Sequence, residues 1–123
     1  MKKMTTSKTI FCDIDGVLFT FEEDFKRVIR GDYQIPTKKG PKKLFQWHSK
    51  GYLIILVTGR PESLRKRTEA QLKRAGFIYD QLVMGCGSGP RILINDNDPK
   101  VPNINKAEAI CLKRDVGLKD VKI

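Results

Sequence analysis

Residues 9–16 read Thr9-Ile10-Phe11-Cys12-Asp13-Ile14-Asp15-Gly16, an apolar and β-branched run that breaks into two carboxylates and a glycine. The pattern predicts a buried strand over 9–14 that stops in a loop. Residues 52–57 repeat it: Tyr52-Leu53-Ile54-Ile55-Leu56-Val57 follow Gly51 and end at Thr58-Gly59-Arg60-Pro61. Neither run alternates polar with apolar, as expected of strands buried on both faces of a parallel sheet.

Helical patterns lie between the apolar runs. Over 61–75, Pro61 suits a first turn, Leu64, Thr68, Leu72 and Ala75 recur at helical spacing, and Gly76 ends the segment. Glu62 near its start and Lys73 and Arg74 near its end complement the helix dipole. Residues 41–50, closed by Gly51, predict a second helix with Leu44, Phe45, Trp47 and His48 available for packing. Further strands are expected at 82–84, at 92–95 and, on a weaker pattern, at 107–113. Strands alternating with helices predict an α/β fold, a single Rossmann-like domain over 1–123 with a mainly parallel sheet. Residues 19–40 leave room for a small flap and for no separate cap domain.

The chain of 123 residues carries 24 Lys and Arg against 14 Asp and Glu, a net charge of +10, which favours anionic partners. Cys12 and Cys111 lie in apolar runs, as reduced thiols of a cytoplasmic protein do, and the basic N-terminus reads neither as a signal peptide nor as a membrane span.

In open α/β sheets, ligands bind beyond the carboxyl ends of the strands. Asp13 and Asp15 close the first strand, Thr58 the second, and Asn95, Asp96 and Asp98 the predicted strand at 92–95. Thr58 also suits a cap for the helix that follows it. Clustered carboxylates repel one another and call for a cation; Mg²⁺ takes oxygen ligands and keeps positions open for water and phosphate.

Asp13-Ile14-Asp15-Gly16-Val17-Leu18, Val57-Thr58-Gly59-Arg60 and Leu93-Ile94-Asn95-Asp96 together resemble three of the four signature motifs of haloacid dehalogenase (HAD) superfamily phosphatases. The resemblance implies a Mg²⁺-dependent phosphomonoester hydrolase working through an aspartyl-phosphate. Asp13 would be the nucleophile and Asp15 the general acid and base. Thr58 and Gly59 would bind the phosphoryl oxygens. Asp13, Asp15 through its carbonyl, and Asp96 would hold Mg²⁺, with Asn95 and Asp98 in support. The implied substrate is a phosphorylated small molecule, a nucleotide or the phosphate end of a polynucleotide. With no cap, the site would be open, rimmed by residues 19–34, and covered by a second copy of the chain or by a large substrate.

One departure concerns the family's remaining motif, a Lys or Arg that neutralises the phosphate. Met84-Gly85 is followed here by Cys86. Arg91 opens the predicted strand at 92–95, which would set it about 16 Å from the catalytic edge at ~3.3 Å per residue. Arg60, Lys100 and Lys106 stay open for the role. The six residues of 85–90 are also too few for a helical crossover, which leaves the strand order open. The competing readings are an inactive or weakly active HAD-like module that binds anionic ligands, and a phospho-receiver domain. In a receiver the phosphorylated Asp should end a middle strand, yet Val57 is followed by Thr58.

Overall fold

A computed structural model describes residues 7–30 and 34–123. Three parallel strands form the sheet: β1 (Thr9–Asp13), β2 (Leu53–Val57) and β3 (Gln81–Val83), in the order β1-β2-β3. The helices are α1 (Phe25–Arg30), α2 (Gly40–Ser49) and α3 (Arg65–Ala75), the last entered through a single 3-10 turn at Glu62–Leu64. The α/β expectation therefore holds: a small parallel sheet is flanked by helices, and no cap domain stands among the described residues. None of the described helices is long and apolar enough to cross a membrane.

Local chemistry accounts for the two longer helices. In α2, Pro41 occupies the first turn, where its missing N–H has no intrahelical partner to lose. Helix α3 ends at Gly76, whose left-handed backbone (φ 83°) lets its N–H reach the Leu72 and Lys73 carbonyls. Both helices set apolar side chains into one core. Leu44, Ile54, Leu56, Leu72, Ile14 and Leu18 are fully enclosed, and Phe19 meets Phe77 edge-on with centroids 5.2 Å apart. Enclosing each such aliphatic side chain contributes about 1.5–3 kcal/mol relative to exposure.

Several expectations are corrected. Burial on both faces is not met: Ile54, Leu56 and Cys12 face the core, but Phe11 and Leu53 on the other face are about half exposed. Residues 92–95 form no strand, and Ile92 and Ile94 are 86% and 90% exposed. The reason lies in chain length. A parallel strand returns through a crossover of a dozen or more residues, and only the eight residues 84–91 lie between the end of β3 at Val83 and Ile92. No strand forms at 107–113 either, and Cys111 is exposed. Of the expected rim over 19–34, Phe19 and Gln34 are buried, and α1 between them is exposed apart from the half-buried Val28, which packs against the core. Residues 31–33 of that rim lie outside the described residues.

Candidate active site

Register assembles the site. Asp13, last in β1, pairs with Val57, last in β2, so Asp13, Asp15 and Thr58 all emerge at the carboxyl edge of adjacent strands. The Asp13 Oδ1 accepts the Ile14 N–H at 2.8 Å, while Oδ2 has no hydrogen-bond partner among the described residues. Shielding by the surrounding loops pushes the Asp13 carboxyl above its ordinary range. The Ile14 N–H opposes that shift, Asp15 reinforces it, and the guanidinium groups of Arg91 and Arg60 pull it down.

Asp15 is held by three donors. Arg60 grips it with Nε on Oδ2 at 2.9 Å and Nη2 on Oδ1 at 2.8 Å, and Gln34 Nε2 adds a bond to Oδ1 at 2.9 Å. The remaining Arg60 N–H groups donate to Thr68, Gln71 and Gln34. All five guanidinium donors are thus committed, and Arg60 is only 6% exposed. Arg60 therefore anchors Asp15 and has no N–H left for a substrate.

Thr58 is buried and does not cap the helix, which begins after Pro61; its Oγ1 accepts the Arg60 N–H at 3.1 Å. Gly59 is fixed by a close approach. A Cβ there would come within 2.5 Å of the Gly87 carbonyl oxygen, closer than side-chain carbons come to any neighbour. Glycine at 59 is therefore what lets the loop after β3 lie on the loop after β2.

Residues 95–98 do not join this group. Asp96 pairs with Lys106 (3.2 Å), the Asn95 amide donates to the Lys106 carbonyl, and Asp98 accepts the Lys100 N–H. These bonds close a separate exposed loop. Among the described residues no three acidic, His or Cys side chains converge as metal ligands do, and the Asp96 carboxylate is turned to Lys106. The physical reason is the missing strand at 92–95, which was to carry Asp96 to the sheet edge.

Arg91 is what sequence reasoning missed. The 16 Å separation assumed that Arg91 opens a strand; instead it folds back over the loop after β3, near enough to act electrostatically on Asp13. Its signal in the sequence was the run of three glycines in 85–89, which permits so tight a loop.

No family model matches the chain, and neither does any curated protein. Two solved structures resemble it. One is a chain of the Pnkp1/Rnl/Hen1 complex, 25% identical with a TM-score of 0.57 over 75% of this chain and 33% of that one. The other is a protein from Vibrio cholerae, 17% identical with a TM-score of 0.50 over 80% of this chain and 89% of that one. This chain thus spans about a third of the Pnkp1/Rnl/Hen1 chain it resembles. Both likenesses support the α/β fold of the chain.

Proposed function

We propose that this chain hydrolyses phosphate monoesters by way of Asp13. The observation that carries the reading is the free Oδ2 of Asp13, exposed at the sheet's carboxyl edge with Asp15 and Thr58 beside it. In the proposed reaction that oxygen attacks phosphorus and displaces the alcohol, which takes a proton from Asp15. Asp15 then removes a proton from water, whose oxygen attacks the aspartyl-phosphate and releases inorganic phosphate. Asp15 must free one oxygen from its anchoring bonds to do so. The Thr58 hydroxyl, which still has its hydrogen to donate, would hold a phosphoryl oxygen.

Magnesium belongs to the proposal through the chemistry of adjacent carboxylates and phosphate, not through an assembled ligand set, and no step above is routed through it. The middle strand, β2, ends at Val57-Thr58 without a carboxylate, which counts against a receiver domain. An anion-binding module without turnover is the second reading, favoured by the tight Arg60 grip on Asp15 and by the pairing of Asp96 with Lys106. The deciding experiment is release of phosphate from sugar phosphates, nucleotides and phosphorylated oligonucleotides, with the parent chain and Asp13→Asn. Turnover that falls by 10²-fold or more in the variant is expected; retention of about a tenth of the parent rate removes Asp13 as nucleophile.

A further inference from the structure

The loop that leaves β3, Gly85-Cys86-Gly87-Ser88-Gly89-Pro90-Arg91, is fastened to the site. The Gly85 N–H donates to the Arg60 carbonyl at 2.7 Å and the Cys86 N–H to the Thr58 carbonyl at 2.9 Å. Gly87 occupies the space that a side chain on residue 59 would need. Arg91 then closes over the loop. Its Nη1 donates to the Cys86 carbonyl at 3.2 Å and the Gly89 carbonyl at 2.7 Å, and its Nη2 to the Gly87 carbonyl at 2.8 Å.

Donor counting separates the two arginines of the site. A guanidinium has five N–H groups. Arg60 is buried with all of them committed, whereas Arg91 is exposed and uses three to fix itself in place. Its Nε–H and one Nη2–H have no partner among the described residues. Three carbonyls hold the plane of the group, so these donors are oriented before any ligand arrives.

We propose that Arg91 is a catalytic residue whose two uncommitted N–H groups receive the phosphate oxygens of a monoester delivered to Asp13. The inference rests on the phosphatase reading above and supplies the cation which that reading otherwise lacks. A phosphate dianion approaching a carboxylate nucleophile meets like charge. A fixed guanidinium relieves it with charge-assisted bonds of planar geometry, and without reorganisation during the reaction.

The test compares the parent chain, Arg91→Gln, Arg91→Lys and Asp13→Asn, with p-nitrophenyl phosphate as substrate and inorganic phosphate as a ligand in calorimetry. Arg91→Gln should weaken phosphate binding and lower kcat/KM by at least about tenfold. Arg91→Lys, or guanidinium added to Arg91→Gln, should recover part of both, and Asp13→Asn should bind phosphate without turnover. Arg91→Gln within twofold of the parent on both measures overturns the proposal. So do equal losses in Gln and Lys variants with no rescue, since the arginine then only holds the loop. If substitution unfolds the chain, the Arg91 Nε–H resonance of the parent decides: it should move on adding inorganic phosphate, and a stationary signal overturns the proposal. Phosphate bound through Arg91 with no turnover refutes the phosphatase reading and upholds this site. A parent chain that neither binds nor hydrolyses refutes both.

Discussion

Replacing Arg60 by Leu should cost more stability than any other single change at the site. The side chain is 5% exposed and its partner Asp15 23%, so the pair is largely out of water. The substitution strands Asp15 and takes a donor from each of Thr68, Gln71 and Gln34. Removing one member of a buried ion pair costs about 3–5 kcal/mol, and the partial exposure of Asp15 places the expected loss near ~3 kcal/mol. That is a large fraction of the roughly 5–15 kcal/mol that holds a domain of this size together. Arg60→Lys keeps the charge but loses the fork, so about half the loss is expected. Urea unfolding followed through Trp47, the single and buried tryptophan, measures both. Combining Arg60→Leu with Asp15→Asn should give much less than the sum of the separate losses, because the stranded charge is gone. A loss below about 1 kcal/mol for Arg60→Leu, or strict additivity in the double variant, would refute the anchoring role.

Gly59→Ala should lower stability by about 1–3 kcal/mol and reduce phosphate affinity as well, since it drives Gly87 and with it Arg91 from their places; unchanged urea midpoint and affinity would contradict the close packing. Asp13→Asn should raise the melting temperature at neutral pH. The folded carboxyl titrates above its unfolded value, so its stabilising effect is present in acid and lost as pH rises through the folded pKa; the variant's gain must accordingly vanish in acid, and a gain that persists there would exclude this cause. Chelation by EDTA should abolish turnover and added Mg²⁺ restore it, with Asp96→Asn raising the Mg²⁺ needed if that residue reaches the site during catalysis. An unchanged Mg²⁺ requirement in Asp96→Asn leaves Asp96 in its loop with Lys106.

What could be read from the sequence was what local chemistry decides. The apolar runs ending at Asp13 and Val57, the proline and glycine that bound the helices, and the Leu64, Thr68, Leu72 stripe all specify structure through neighbours within a few residues. The strand expected at 92–95 failed because its composition, Ile-Leu-Ile-Asn, is a local property while its pairing depends on the path of the chain before it. The same short connection that made the strand order doubtful keeps the segment out of the sheet. Arg91 was misplaced by that one error, since its distance from Asp13 was measured along a strand that does not form. Arg60 was read as a candidate for the substrate's phosphate; only the fold shows that Asp15, Gln34, Thr68 and Gln71, from 45 residues upstream to 11 downstream, exhaust its donors.

Gln34 carries the remaining consequence of that network. Its amide is buried at 7% exposure and fully used: Nε2 donates to Asp15 and to the Thr20 carbonyl, both at 2.9 Å, and Oε1 accepts from Arg60 at 3.0 Å and Gln71 at 3.2 Å. Thr20 and Gln34 stand at the two ends of the segment that bears α1, so one side chain both closes the base of the flap and helps orient Asp15. Helix α1 has only the half-buried Val28 to hold it against the core. Gln34→Ala should therefore cost about 2 kcal/mol in global stability, on the order of two lost hydrogen bonds at about 1 kcal/mol net each, and loosen the flap by more than that figure suggests. Limited trypsin digestion reads the second effect directly, because Lys26, Arg27 and Arg30 all lie in α1. Cleavage there should accelerate several-fold in Gln34→Ala at a temperature where the core, followed through Trp47, remains folded. Gln34→Glu should open the flap as well, since a carboxylate would face both Asp15 and the Thr20 carbonyl. Equal cleavage rates in the parent and both variants would mean that the flap is held by other contacts and that Asp15 is oriented by Arg60 alone.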